Sequence, residues 1–198
     1  AGEHKYTMGN HQFAHSVTEF VDHHFPKFIE DEVVNNILKS KKMNDKSYEY
    51  YGMNKDEILK SWKENTRLGT VLHALIEDFY KGEGKSFEEV NTVEYGYFLN
   101  FAKDFSHIKV KFIEGRICFP KMDLAGSVDL IVENDDGTLT LIDWKRAKNI
   151  NTSTVPDKYT KYGLLPGISH IMNTNYNHYK FQLNVYRYIL QHEYGFIV

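Results

Sequence analysis

The stretch DLAGSVDLIVENDDGTLTLIDWKRAK, residues 123–148, decides how this chain reads. It has the pattern of two strands joined by a turn at Asn134-Asp-Asp-Gly137. Each strand delivers a carboxylate, Asp129 in the first and Asp143 in the second. Lys145 follows Asp143 by two residues, so in a strand both point to the same face. Both also share parity with Leu139 and Leu141, extending a face that is apolar earlier in the strand. Two carboxylates ~4 Å apart repel by roughly 4 kcal/mol at an effective dielectric of about 20. A divalent cation between them reverses that sign, and hard oxygen ligands suit Mg²⁺ or Mn²⁺ rather than Zn²⁺. Taken alone, D-x-K is common, and an amphipathic hairpin with surface charges is its plain alternative.

Upstream of the hairpin the chain reads as helical. Ser16-Val-Thr-Glu19 and Ser86-Phe-Glu-Glu89 have capping-box spacing. Phe25-Pro26 ends the first helix, because the residue before proline leaves the helical region. A second helix is predicted over 27–41, with Ile29, Val33 and Ile37 on its buried stripe beside Val34 and Leu38. The lysine-rich stretch 39–52 reads as a loop. Asn54 caps a third helix that keeps its apolar spacing to about Lys81, with Gly69 inside it marking a break or a close backbone approach. A fourth is predicted from Ser86 through Val90, Val93, Tyr97, Phe101 and Phe105. Residues 1–15 are polar and expected to be loosely ordered.

Ile108, Val110 and Phe112 alternate with lysines and predict a half-buried strand, with Glu114 continuing the apolar parity. Residues 149–175 show no period, and long irregular connections of this kind often carry function. A last helix is predicted over 176–194, closed by Gly195. Phe196-Ile-Val198 has strand character, as an edge strand or the start of a continuing chain. The expected organisation is one domain over 1–198, with 1–105 mainly helical and 106–198 forming the sheet core and its final helix.

Composition narrows the class. Of 198 residues 41% are hydrophobic and 26% charged, which fits a folded domain. A net charge of −3 gives no global basic footprint, so a nucleic-acid contact must come from a local basic surface or a bound metal. The single cysteine, Cys118, cannot form an intramolecular disulfide and is expected to serve packing. Together with the absence of a signal-like start or a bilayer-spanning apolar run, this leads to the expectation of an intracellular protein without a membrane partner.

Two further pairs sit at helical i, i+4 spacing. His73 and Glu77 share one helix face, as do Gln182 and Tyr186. In isolation each fits ordinary helix packing. Lys145, Arg146, Lys148, Lys158 and Lys161, with Tyr159 and Tyr162 interleaved, form a local basic stretch suited to phosphate contact and base stacking. Asp135-Asp136 reads as turn chemistry.

Gly69-Thr-Val-Leu-His73, Gly126-Ser-Val-Asp129, Ile142-Asp-Trp-Lys145 and Gln182-Leu-Asn-Val-Tyr186 occur in that order. They resemble the GxxxH, D…(D/E)xK and QxxxY motifs of the RecB-like nuclease branch of the PD-(D/E)XK superfamily. That branch includes the nuclease domain of RecB helicase-nucleases, CRISPR-associated RecB-like exonucleases and the mitochondrial genome maintenance exonuclease. The resemblance covers residues 67–195. It implies an α/β fold with a restriction-endonuclease-like PD-(D/E)XK core, a mixed β-sheet flanked by helices, beside the helical N-terminal half. It implies His73, Asp129 and Asp143 as ligands of one or two Mg²⁺ or Mn²⁺ ions, with the Trp144 backbone carbonyl, and Glu114 and Glu77 as additional candidates. Lys145 would be the catalytic lysine. Gln182 and Tyr186 would support catalysis and substrate, while Arg146, Lys148, Lys158 and Lys161 would bind it.

Asp143 stands where the family more often has glutamate, and the motif's leading proline is absent before Asp129. No cluster of four cysteines is present, so no iron–sulfur cluster is expected. The expected activity is metal-dependent hydrolysis of DNA phosphodiester bonds, by an exonuclease acting on single strands or ends. Two rivals stand beside it: an RNA endonuclease of the viral cap-snatching kind, and a catalytically inactive nucleic-acid-binding module.

Overall fold

A computed structural model describes residues 5–150, 152–157 and 159–198. In chain order the strands and helices are β1 (Thr7–Met8), β2 (His11–Gln12), β3 (His15–Ser16), α1 (Val17–His23), α2 (Glu30–Lys39), α3 (Lys55–Tyr80), α4 (Phe87–Val90), α5 (Val93–Asp104), β4 (Lys109–Phe119), β5 (Leu124–Glu133), β6 (Leu139–Ile142) and α6 (Asn175–Glu193). The protein is mixed α/β with a mixed sheet. No helix among the described residues is long and apolar enough to cross a membrane.

The chain forms two compact units. One holds Lys27–Val71, with α2 and the first part of α3. In it the Trp62 indole N–H donates to the Tyr50 hydroxyl at 3.0 Å, and Lys55 pairs with Asp31 at 2.8 Å. Val34 of the expected α2 stripe is fully buried, while Ile29 is exposed. The other unit holds the described residues up to Pro26 and Leu72–Val198.

In that second unit β5 is the central strand. β4 pairs antiparallel with it from Lys109↔Glu133 to Phe119↔Leu124 and so occupies one edge along its whole length. The other edge is shared: β3 runs parallel beside Leu124 and Ala125, and β6 antiparallel beside Leu130–Glu133. Between them, residues 126–129 have no strand partner on that edge among the described residues. The β5–β6 turn closes as its sequence requires. Asn134 N–H donates to the Thr138 carbonyl and Gly137 N–H to the Asn134 carbonyl, with Gly137 at φ +81°, a conformation glycine adopts at little cost.

Val17, Val21 and Phe25 near α1, and Tyr186, Ile189 and Leu190 of α6, pack with Ile117, Phe119, Leu124 and Val128 of the sheet strands into one core cluster. Ile76 of α3 with Tyr95 and Phe98 of α5 forms a second, against which Trp144 packs. Gly126 lies under α1 and α6. A Cβ there would stand 2.7 Å from Cε1 of Tyr186 and 3.0 Å from Cγ2 of Val17, so this position admits no larger residue without movement.

Several sequence expectations are corrected. The N-terminal stretch is not loose where it is described: β1 and β2 pair as a hairpin, and His11 Nε2 lies 2.7 Å from Asp123 Oδ1. The helix read from Ser86 to Phe105 is two helices. The Ser86–Glu89 capping box forms, but Asn91 turns left-handed at φ +48° and ends α4 after one turn. Its expected stripe is accordingly misplaced: Tyr97 is 70% exposed and Val93 64%, while Tyr95 and Phe98 are buried.

In β4 the register shifts between Val110 and Phe112. Both of these are exposed, and the core-facing residues are Ile117 and Phe119. Gly69 does not break α3, which runs unbroken through it, with the Asn54–Glu57 box at its start. The last residues form no strand. One backbone bond, from the Leu139 N–H to the Ile197 carbonyl, ties them to β6.

Candidate metal and catalytic site

The unpaired edge of β5 carries Asp129, and side chains from four other segments meet there. His73 comes from the last turns of α3. Its Nδ1 lies 3.5 Å from Asp129 Oδ2, with the two side chains 30% and 11% exposed. Glu114 comes from β4. The pairs Ile113↔Leu130 and Gly115↔Val128 flank it, which sets Glu114 opposite Asp129 across the ladder. One ligand atom from each of His73, Glu114 and Asp129 lies within 4.8 Å of the other two.

Like charges directly opposite on neighbouring strands repel, here by ~3 kcal/mol at an effective dielectric of about 20. Glu114 is also the one non-glycine residue of the strands in the left-handed region, at φ +47°. Such backbone strain, costing about 1–3 kcal/mol, persists where the surrounding structure imposes it and clusters at functional sites. Ser127 on β5 shares a face with Asp129 by the period of two, and its hydroxyl donates to Glu114 Oε2 at 2.9 Å.

The D-x-K segment lies just beyond the strand that was expected to carry it, because β6 ends at Ile142. Lys145 Nζ nevertheless turns back to Asp143 Oδ2 at 2.6 Å, with Asp143's side chain only 4% exposed. The Lys145 ammonium also lies 5.3 Å from the ring centre of Tyr179 on α6. Between them the Trp144 backbone N–H donates to Asp129 Oδ2 at 2.6 Å. Asp129 Oδ2 thus takes a peptide hydrogen bond on one side and faces His73 on the other.

On α6, Gln182 Nε2 donates to the Tyr186 hydroxyl at 2.9 Å and approaches Thr18 Oγ1 at 3.4 Å. Tyr186 is buried, and burial pushes its hydroxyl pKa well above the ordinary range.

Electrostatics follow from this crowding. Burial raises the pKa of Glu114, with the charges of Asp129 and Glu77 adding to it against the Ser127 hydrogen bond. Burial likewise raises that of Asp143, with Lys145 opposing. The hydrogen bond to Asp129 raises His73, against the effect of its own burial. Tyr6, ahead of the N-terminal hairpin, is raised by burial and then by the Glu114 charge.

His73, Glu114 and Asp129 could therefore hold a metal ion. One imidazole nitrogen and two carboxylates form a donor set that suits Mn²⁺ or Mg²⁺.

The sequence expectation named His73, Asp129 and Asp143 as ligands with the Trp144 carbonyl, and Glu114 and Glu77 as additional candidates. The structure groups His73, Glu114 and Asp129, and pairs Asp143 with Lys145. Glu77 forms an ion pair with Lys81 at i, i+4. Arg146, in the irregular basic stretch after β6, pairs with Glu94 at 2.6 Å. Lys148 and Lys161 are exposed, and Lys158 lies outside the described residues.

Ser127, Thr18, Tyr6 and Glu94 were not read from the sequence. Ser127 had a signal, its i, i+2 parity with Asp129. The others meet the site only through tertiary contacts. Comparison with family models, with curated proteins and with solved structures finds no match to this chain.

Proposed function

We propose that this protein is a metal-dependent nuclease that hydrolyses DNA phosphodiester bonds on a PD-(D/E)XK core of the RecB-like kind. On this reading it is an exonuclease acting on single strands or ends. The observation that carries the proposal is the convergence of His73, Glu114 and Asp129 within 4.8 Å, with the Asp143–Lys145 pair joined to them through Trp144. Like-charged carboxylates facing each other across a ladder are unfavourable as plain packing and favourable around a cation.

A divalent ion supplies polarisation of a phosphoryl oxygen and lowers the pKa of a bound water. His73, Glu114 and Asp129 would hold it. Lys145 presents an ammonium whose direction Asp143 Oδ2 fixes, placed to hydrogen-bond a phosphoryl oxygen as negative charge develops there. Attack by water on phosphorus breaks the bond to the leaving sugar oxygen, which takes up a proton. Gln182, held by Tyr186, orients a phosphate oxygen or the attacking water through its carboxamide. Lys148 and Lys161 contribute sequence-independent phosphate contacts.

The RNA endonuclease reading shares a helix histidine, acids and a lysine with this site. The Gln182–Tyr186 pair favours the DNA nuclease. The test is cleavage of matched end-labelled DNA and RNA, linear and circular, under Mg²⁺ and Mn²⁺. Metal-dependent degradation of linear DNA, with circular single strands spared, is the expected result. RNA-only cleavage would replace the reading, and DNA binding without turnover at any metal concentration would leave only a binding module.

A further inference from the structure

The geometry points to Glu94 as a positioning residue for the Asp143–Lys145 segment, acting through Arg146; this rests on the nuclease reading of the site. The segment leaves the sheet at Ile142 and has no strand to fix it. What it does have is one face of α5. Glu94, Phe98 and Phe101 stand at i, i+4 and i+7 and so line one side of that helix.

The Trp144 indole lies edge-on to both aromatics, 5.6 Å from the Phe98 ring at 86° and 5.0 Å from the Phe101 ring at 82°. One residue further on, Arg146 pairs with Glu94 Oε1 at 2.6 Å, the two side chains 23% and 36% exposed. The opposite side of the segment is tied to Asp129 by the Trp144 N–H. Trp144 and Arg146 therefore bracket Lys145 and hold it between α5 and the metal-ligating group.

A surface ion pair by itself contributes little to stability. This one is partly shielded and lies one residue from the lysine. Its effect is on where that ammonium sits, and small displacements of a reacting group cost rate steeply.

The experiment compares Glu94→Gln, Arg146→Glu and the exchanged pair Glu94→Arg with Arg146→Glu in the full chain. It reads kcat and KM on an end-labelled single strand with Mn²⁺, and the ¹⁹F resonances of protein carrying 5-fluorotryptophan. The chain has two tryptophans, and Trp62→Phe assigns the Trp144 signal. The expected result is a kcat about tenfold to a hundredfold lower in Glu94→Gln with KM unchanged. The Trp144 signal alone shifts in that variant, and both rate and signal return in the exchanged pair.

A Glu94→Gln protein with full kcat and an unmoved Trp144 signal overturns the proposal. So does an Arg146→Glu protein that raises KM alone and is not restored by the exchange, which would make Arg146 a substrate contact. If the unmodified protein cleaves no nucleic acid, the nuclease reading fails, and the Trp144 signal still decides whether Glu94 holds the segment.

Discussion

His73, Glu114 and Asp129 stand on a long helix and two paired strands, Glu114 at a left-handed point within its ladder, whereas Asp143, Trp144 and Lys145 follow the last residue of a strand and are tied down by side-chain contacts. The first set is fixed by register. Moving Glu114 away from Asp129 would require breaking the longest ladder of the sheet. The second is fixed by an ion pair, a partly buried indole and one hydrogen bond to the first. The difference suits the division of labour proposed above. Ligands that must stay close despite their mutual repulsion need a stiff frame, whereas a lysine that meets a phosphate needs a defined direction.

The comparison breaks most sharply at Lys145. Lys145→Ala is expected to lower kcat by at least roughly a thousandfold, the scale of losing an electrostatic stabiliser of the transition state, with the fold retained at a lower thermal midpoint because the buried Asp143 loses this ion pair. Undiminished turnover would show that the segment beyond β6 is not part of the chemistry. In the stiff half, Glu114→Gln removes one charge of the facing carboxylates. It is expected to raise the thermal midpoint of the metal-free protein while weakening Mn²⁺ binding roughly tenfold to a hundredfold by calorimetry. Equal affinity in the two proteins would remove Glu114 from the ligand set.

Gly126→Ala tests the frame without touching a ligand. The added methyl meets Tyr186 at 2.7 Å and is expected to cost about 1–3 kcal/mol in denaturant unfolding. A neutral effect would mean that α6 yields, and that Gln182 is held less firmly than its bond to Tyr186 indicates.

The smallest effect is that of pH. The folded pKa of Glu114 lies above its ordinary 4.5, so protons bound by the folded state favour folding at low pH, and this contribution is lost as pH rises from 4.5 through the folded value. His73 is raised above 6.5, so its contribution is present below 6.5 and lost as pH rises through its folded value. Both signs agree. In chelator, thermal midpoints are expected to fall as pH climbs from 4.5 past 6.5, less so in Glu114→Gln and His73→Gln, and saturating Mn²⁺ should cancel most of the fall. Variants that follow the parent protein's pH course would contradict the assignment.

Much of the stiff half was legible. The β5–β6 hairpin shows in Asn134-Asp-Asp-Gly137, whose glycine takes the positive φ the turn requires. The Ser16 and Ser86 caps show in their three-residue spacing to glutamate. Glu114 reached the site for a reason other than the one read from the sequence. Its parity with Val110 and Phe112 was misleading, since a register shift separates those residues and leaves them exposed. A bulge leaves no mark in an alternating pattern.

The N-terminal hairpin was missed because two-residue strands are too short to carry a period. The break at Asn91 was hidden because an apolar spacing of three and four continues through it. The tethered half was least legible. Arg146 looks like one more basic loop residue until Glu94, far away in sequence, is brought beside it.

The most direct measurement is single-turnover cleavage of an end-labelled DNA strand as Mn²⁺ is raised, for the unmodified protein, Glu114→Gln and Asp129→Asn. The account predicts a saturable curve for the first, the same curve displaced to higher Mn²⁺ for the second, and no cleavage for the third. Three superimposable curves, or no cleavage by the unmodified protein at any Mn²⁺ concentration, would contradict it.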